Sequence, residues 1–265
     1  MIMKILILGH RGMLGNAVYR YFTTNNIDVE TLTDLRWDSN EFKHAILNSN
    51  ANFIINCIGA IPQKKPTDDY YELLNVQLPL FLESTGKKIL HPSTDCIFSG
   101  KLEYPNKYKK NDNADAYDLY GKSKAKIDRL IQDNFLNTKM IRTSIFGHEL
   151  FGHVSLLDWF LNTNDDEVIN GYSNYYWNGI STLQWSKEAD KLLGNWNNMP
   201  CITQLGSCGI PKSEFLKIVA KIYGKTNQIN DFKMVVDINK MLESDYDLPS
   251  IEEQLIELKE FYENV

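Results

Sequence analysis

The chain lacks any excess of basic charge, any long apolar run and any paired cysteines, and each absence removes a class of function. Lys and Arg total 28 against 34 Asp and Glu, a formal charge of −6 over 265 residues with the two signs interspersed. No basic stripe is available to neutralise a phosphate backbone, so no nucleic-acid partner is expected. Lys107, Lys109 and Lys110 make only a small cluster, read as a solvated loop. The four cysteines, Cys57, Cys96, Cys201 and Cys208, contain no C-x-x-C pair, and neither a disulfide framework nor a metal site is expected from them. No stretch reaches the ~20 apolar residues that span a bilayer. The first strand pattern follows the initial Met so closely that no leader is expected. Together these absences describe a cytoplasmic protein with no membrane partner. Internal repeats and low-complexity tracts are also missing. Apolar residues make up 43% of the chain, an ordinary fraction that supports a sizeable core. The length suits one large α/β domain or a core domain with a smaller lobe.

What is present is concentrated at the start. Ile5 to Leu8 is a short apolar run without polar alternation, the pattern of a parallel strand buried on both faces. It breaks at Gly9, and Gly12 and Gly15 follow at three-residue spacing before Ala17, Val18, Tyr21 and Phe22 open a helical repeat. A strand, a glycine turn and a helix in that order aim backbone N–H groups, here those around Met13 and Leu14, at a pyrophosphate. A second strand is expected over Asp28 to Leu32, whose end lies beside an adenosine ribose in such a fold. An acid there favours a free 2′-hydroxyl and an arginine a 2′-phosphate. Asp34 and Arg36 are both present, and Arg11 sits inside the glycine turn. Two arginines outweigh one acid, so NADP(H) is expected over NAD.

A helix is expected over Glu41 to Ser49. The next strand, from Phe53, ends at Cys57, Gly59 and Ala60, small residues that let the backbone pass beneath a cofactor. A loop with Gln63 and Lys64 leads to a helix over Tyr70 to Glu83, with a bend expected at Pro79. Lys88 to Leu90 then feeds His91-Pro-Ser-Thr-Asp-Cys, which places the hydroxyls of Ser93 and Thr94 at a strand's C-terminal end, where doubly wound sheets bind ligands. The polar stretch from Lys101 to Tyr117 is long for a loop in a compact domain, a mark of function or mobility. Beyond it, Tyr120 and Lys124 are four residues apart at a helix start and share one face. That spacing suits a phenol that gives a proton and an ammonium that lowers the phenol's pKa. Met140 to Phe146 reads as a strand, Val154 to Leu161 as a helix, Glu167 to Ile169 as a strand, Thr182 to Trp196 as a helix, and Cys201 to Leu205 as a last sheet strand. Pro211 to Tyr223 and Ser250 to Tyr262 are amphipathic helices. Trp177 and Asn178 lie in an aromatic cluster that offers a stacking platform for a sugar or base.

In order and spacing, Gly9-x-x-Gly12-x-x-Gly15, Ser93-Thr94-Asp95, Tyr120-x-x-x-Lys124 and Arg142-Thr143-Ser144 resemble the extended short-chain dehydrogenase/reductases, and among them the dTDP-4-dehydrorhamnose reductase family. The resemblance is strong over residues 1–147 and weaker beyond. It implies reduction of the C4 keto group of a nucleotide-diphosphate 4-keto-6-deoxyhexose by NADPH, with Thr94, Tyr120 and Lys124 as the catalytic set. Cofactor contacts would come from Gly9, Arg11, Gly12, Met13, Leu14, Gly15, Arg36, Cys57, Gly59, Ala60, Ser93, Tyr120 and Lys124. The substrate would meet Gln63, Thr94, Asp95, Cys96, Trp177 and Asn178. The glycine turn is also similar to that of GDP-fucose synthase, an epimerase–reductase, and by that similarity Cys96 and His153 would move protons beside the ketone. A third reading is a non-catalytic NADP-binding subunit, since the regulatory subunit of methionine adenosyltransferase is similar to this reductase family. The expected architecture is a Rossmann-like doubly wound parallel sheet with a small C-terminal substrate-binding lobe. Residues 1–150 would form the dinucleotide domain, with 181–207 returning to it, and 151–180 with 208–265 the lobe. A homodimer is left open.

Overall fold

A computed structural model describes residues 3–263. The first half alternates regularly: β1 (Lys4–Leu8), α1 (Met13–Thr24), β2 (Asp28–Thr31), α2 (Asn40–Asn48), β3 (Phe53–Asn56), α3 (Asp68–Glu72), α4 (Leu78–Ser84), β4 (Lys88–Ser93), α5 (Leu119–Asn134) and β5 (Thr138–Arg142). The second half is built from shorter pieces: β6 (Ile145–Phe146), α6 (Leu156–Leu161), β7 (Ile169–Tyr172), β8 (Tyr175–Trp177), β9 (Ile180–Ser181), α7 (Thr182–Gly194), β10 (Ile202–Gln204), β11 (Ile210–Pro211), α8 (Lys212–Tyr223), β12 (Ile229–Phe232), β13 (Ile238–Asn239) and α9 (Ile251–Glu263).

The central sheet has six parallel strands in the order β10-β5-β4-β3-β1-β2. Strand order reverses at β1, which leaves a crevice at the carboxyl ends of β1 and β3, with the end of β4 next to it. Burial on both faces explains the unbroken apolar run of β1. Ile5 and Ile7 pack against Leu14, Val18 and Phe22 of α1 and Trp185 and Ala189 of α7. Leu6 and Leu8 turn the other way, onto Phe42 and Ile46 of α2 and Leu78 and Leu82 of α4. Each such side chain contributes about 1.5–3 kcal/mol by leaving water. A third apolar cluster joins Phe146, Trp177, Phe215, Leu216, Val219 and Leu255, and so packs α8 and α9 around β6 and β8. Ser250 caps α9 through a reciprocal pair: its Oγ accepts from Glu253 N at 3.2 Å, and Glu253 Oε2 accepts from Ser250 N at 2.7 Å. Among the described residues, no helix is long and apolar enough to cross a membrane.

Three expectations about elements change. The strand read over Met140 to Phe146 is two: β5 ends at Arg142, and β6 leaves the sheet to pair with β9. The bend assigned to Pro79 appears one turn earlier, as a π-helical turn over Leu73–Gln77. Pro79 has no N–H for the carbonyl of Asn75, and a widened turn is how a helix absorbs that loss. Strand β7 begins where the expected strand ends, and its parallel partner β12 was not foreseen; the Ile-Asn-Asp-Phe of β12 is mostly exposed and carries no apolar periodicity.

The long segment after residue 100 is pinned at several points. Tyr108 stacks on Phe98 at 4.2 Å, Ser99 Oγ donates to Asp115 Oδ2 at 2.5 Å, and bridges join Lys101 to Asn239 and Tyr108 to Leu242. Below it lies a buried charge cluster. Arg142 Nε donates to Asp128 Oδ2 at 3.1 Å, and its Nη1 donates to Lys110 O and Gln204 Oε1 at 2.9 and 3.0 Å. The side chains of that ion pair are 2% and 3% exposed, so β5, α5, β10 and the loop share one desolvated bridge.

The tightest packing is at the first turn. Gly9 adopts φ +80°, and a Cβ on Gly15 would lie 2.1 Å from the Gly9 carbonyl oxygen. Gly15→Ala is therefore expected to force α1 off β1 and to lower the urea unfolding midpoint by the equivalent of ~2 kcal/mol or more. An unchanged midpoint would show that the turn has slack which the packing denies.

Candidate functional site

The crevice above β1 and β4 collects the residues that carry chemistry. Gly12 is the N-cap of α1 and has no side-chain cap, which leaves the first N–H groups of the helix, those of Met13 and Leu14 among them, open to an anion. Beside them is a cavity of about 130 Å³ lined by Gly9, Arg11, Asp34, Leu35, Phe42 and Ile58 among others. An uncapped helix N-terminus next to such a cavity fits the pyrophosphate and adenosine of a dinucleotide. Arg11 Nη1 donates to Asp34 Oδ1 at 3.3 Å, while Arg36 is turned away onto Asp38 Oδ1 at 3.1 Å. Both pairs are exposed, so each arginine is held weakly and is free to exchange partners.

The floor of the crevice is held by a side chain that the sequence reading passed over. Asn75, buried in the π-helical turn, accepts from Ala60 N at 2.8 Å and donates to Ala60 O at 3.1 Å and Ser123 Oγ at 3.0 Å. Gly59 and Ala60 are thereby fixed against α5. The only signal available was an Asn in an otherwise apolar helical stretch. Cys57 brings its backbone against Gly9, while burial pushes its thiol pKa up. Ser93 points away from the crevice, since its Oγ donates to Asp128 Oδ2 at 2.5 Å; only its backbone is left to meet a cofactor.

Thr94, Tyr120 and Lys124 come together because the first turn of α5 lies directly on the turn after β4. A Cβ on Gly121 would sit 2.4 Å from the Cys96 carbonyl oxygen, so glycine is what allows the approach. Asp118 caps the helix, its Oδ1 accepting from Gly121 N at 2.8 Å. Thr94 Oγ1 accepts from Cys96 N and donates to Asp95 Oδ1, both at 3.1 Å, and the Tyr120 phenol lies close enough to interact with it. Burial, with Cys96 and Asp95 nearby, drives the Tyr120 pKa well above the ordinary range. That is the reverse of the lowering expected from Lys124. The phenol is a proton donor in this state, not a base.

Lys124 is buried, and its Nζ donates to Pro92 O at 2.7 Å and meets His91 Nε2 at 3.0 Å. His91 was not singled out from the sequence, although a histidine inside an apolar strand is the kind of residue that signals a partner. Asn56 Oδ1 accepts from Ile58 N at 3.2 Å, which turns its Nδ2 toward His91 Nδ1 at 3.3 Å. When Nδ1 accepts, the proton of a neutral His91 lies on Nε2, toward Lys124. Burial lowers the Lys124 pKa to about 8, opposed by Asp128.

Other candidates are not brought to the reacting position. Trp177 is 1% exposed and wedged between Phe146 and Phe215, so it is not an open stacking platform. Asn178 spends its side chain on the backbone of Leu242, accepting from its N at 2.9 Å and donating to its O at 2.8 Å. His153 is bound through Nδ1 to Asp158 Oδ2 at 2.5 Å, a carboxylate it shares with His148. No contact among the described residues joins it to Cys96. Burial and Asp95 push the Cys96 thiol up to about 12, so it is not poised as a thiolate base. Gln63 lies in an exposed 3₁₀ turn at the rim.

The lowered Lys124 pKa has a measurable sign. Between about 8 and the ordinary 10.5 the unfolded chain holds a proton that the folded one does not, so stability rises with pH across that window. Wild type should gain up to about 3 kcal/mol on Lys124→Met between those limits, and nothing below them. Urea titrations of both proteins across the window give the difference, and a flat difference would remove the desolvated amine.

A family model for the RmlD substrate binding domain matches residues 3–158. The spore coat polysaccharide biosynthesis protein SpsK of Bacillus subtilis (strain 168) is 30% identical over 155 residues, which are 55% of this chain and 54% of SpsK. Methionine adenosyltransferase 2 subunit beta of Bos taurus is 26% identical over 174 residues, 58% of this chain and 49% of that protein. The chain thus spans about half the length of the curated relatives it matches. The solved dTDP-4-dehydrorhamnose reductase of Bacillus anthracis str. Ames, in complex with NADP, superposes with a TM-score of 0.85 over 100% of both chains at 16% identity. At that identity the likeness establishes the fold. The family match takes in the glycine turn, Thr94, Tyr120 and Lys124 and covers more than half of the sequence, and on it the chain belongs to the RmlD substrate binding domain family.

Proposed function

We propose that this protein reduces the C4 keto group of a nucleotide-diphosphate 4-keto-6-deoxyhexose with NADPH. The observation that carries the reading is the gathering of Thr94, Tyr120 and Lys124 at the carboxyl end of the same parallel sheet whose β1 leads into the uncapped glycine turn. Its coarser part, an oxidoreductase acting on nucleotide sugars, is supported by the family match and is consistent with the folds of its structural neighbours. When bound, the reduced nicotinamide supplies the hydride for C4. The protonated Tyr120 phenol gives its proton to the C4 oxygen, and the Thr94 hydroxyl bonds the same oxygen and orients it. Lys124 holds the nicotinamide ribose and offers a positive charge as the phenolate forms. Arg11 and Arg36 leave Asp34 and Asp38 for the 2′-phosphate, which is the basis for NADPH over NADH. Residues 151–180 and 208–265 close over the sugar as the substrate lobe.

Similarity to methionine adenosyltransferase 2 subunit beta supports a second reading, a nucleotide-binding subunit without turnover. Net consumption of NADPH separates the two. Loss of reduced-nicotinamide absorbance is expected when the protein meets a 4-keto-6-deoxy sugar carried on dTDP, UDP or GDP; unchanged absorbance with all three would discard the reductase. Tyr120→Phe should lower kcat by roughly 10² or more, with NADPH affinity by fluorescence titration kept within two-fold. Wild-type turnover in that variant would strip Tyr120 of its role. Arg36→Ala should weaken NADPH about tenfold and leave NADH unaffected, and equal effects on both would dissociate Arg36 from the 2′-phosphate.

A further inference from the structure

Lys212 opens α8, immediately after the N-cap Pro211, and turns inward instead of reaching for solvent. Its Nζ lies 3.2 Å from the centroid of the Trp177 ring and 5.6 Å from that of Tyr175. It makes no hydrogen bond or ion pair with any described residue. The position is costly on three counts. The ammonium is partly desolvated, it faces the positive end of a helix dipole, and no acceptor balances it. A lysine with nothing to do there would extend its stem and carry its charge to water. The Trp177 face offsets part of that cost, and that ring is locked by Phe146 and Phe215.

Within electrostatic reach of that ammonium is Asp95, a carboxylate only 5% exposed. Its Oδ1 is met by Thr94 Oγ1 at 3.1 Å and Cys96 Sγ at 3.7 Å. The Asp95 and Lys212 charges feel each other, yet no ion pair closes between them. A buried anion and a half-buried cation left unpaired, with the Thr94 hydroxyl beside the anion, suit a group that both donates and accepts.

We propose that Lys212 and Asp95 form a split pair that reads a hydroxyl on the sugar carbon next to the reacting carbonyl, with Lys212 donating to the hydroxyl oxygen and Asp95 accepting its proton. The identification of that carbon rests on the reductase reading, because Asp95 adjoins Thr94. Lys212 is a positioning and specificity residue. A deoxy carbon at the same place would leave both charges unpaired, the situation that gives polar sites their strongest discrimination. Burial lowers the Lys212 pKa to about 7, with Asp95 and Cys96 opposing the shift. Of the other groups facing this space, Cys96 is raised to about 12, and Tyr175 and Tyr120 are pushed well up. Lys240 is held by the Phe98 carbonyl oxygen. Lys212 is therefore the group there that changes charge near neutrality, and binding through it fades as pH rises past about 7.

Calorimetry on the NADP-loaded protein tests the pair without requiring turnover. The probes are dTDP-glucose, UDP-glucose and GDP-glucose, the 3-deoxy counterpart of whichever binds best, and the free nucleoside diphosphate. Lys212→Met should weaken the 3-hydroxy sugar nucleotide at least tenfold, leave the 3-deoxy compound and the free diphosphate within two-fold, and abolish the pH dependence near 7. Lys212→Arg should retain part of the affinity. Because the lysine sits at a cost, Lys212→Met should melt at or above the wild-type temperature. Equal binding by wild type and Lys212→Met overturns the pair, and so does an equal loss for the free diphosphate, which would make Lys212 a phosphate anchor. Lower melting with unchanged binding assigns it a structural role and also overturns the pair. Wild type that binds these probes but turns over no 4-keto sugar removes the reductase reading and leaves Lys212 standing.

Discussion

The carboxylate of Asp128 is the charge on which the candidate site and the surrounding fold both depend. It is buried among Ser93 at the end of β4, Arg142 at the end of β5 and Lys124 one turn earlier on its own helix. An isolated carboxylate in such surroundings would take up a proton, and burial does push its pKa upward against the pull of Arg142. Arg142 then spends its remaining donors on Lys110 and Gln204, tying the loop after residue 100 and the edge strand β10 to the same point. One desolvated anion thus fixes the register of two strands, the seat of α5 and the field around the candidate catalytic amine. Removing Arg142 alone would strand that anion at a cost of about 3–5 kcal/mol.

Local pattern made the first half of the chain legible. The run Ile5 to Leu8, the glycines at 9, 12 and 15, and the i, i+4 pair at 120 and 124 each encode their geometry within a few residues, and the structure places Tyr120 against Thr94. What stayed hidden is of another kind. β6, β9, β11 and β13 are two residues long, too short to carry a period, and β12 is largely exposed. Trp177 looked like a platform because aromatic residues stack on sugars; whether a ring is open or wedged between Phe146 and Phe215 is decided by residues 31 and 38 positions away. Asn75, His91 and Lys212 were missed for the same reason. Each is an isolated polar residue whose role is set by a partner distant in sequence, and a single sequence shows the residue without the partner.

The site also shows how environment assigns roles to similar groups. Tyr120 and Lys124 share a helix face, yet burial moves their pKa values in opposite directions, so the phenol keeps its proton while the amine approaches neutrality. Cys96, two residues from Thr94, is a protonated thiol, held so by burial and, after that, by the Asp95 charge. His153 is occupied by Asp158. Epimerisation needs a base on one face of the sugar ring and an acid on the other, and among the described contacts nothing pairs His153 with Cys96 in that way. The favoured chemistry is delivery of one proton from one side.

The pinning of the segment after residue 100 has a consequence for how the molecule is made. Tyr108 N donates to Met241 O at 2.9 Å, and Asn239 Nδ2 donates to Asn106 O at 2.7 Å, across 133 positions in both cases. Gln204 joins the two, donating to Tyr108 O and to Glu243 O. Such long closures form late, after the local βαβ units have condensed. On the ribosome, the glycine turn and its helix are complete once the first strands have emerged. The loop beside Tyr120, held early by Phe98, Ser99 and Arg142, gains its remaining contacts only when residues 239–245 arrive. The cradle is ready early in synthesis, and the reacting chamber closes later, once that segment has been made.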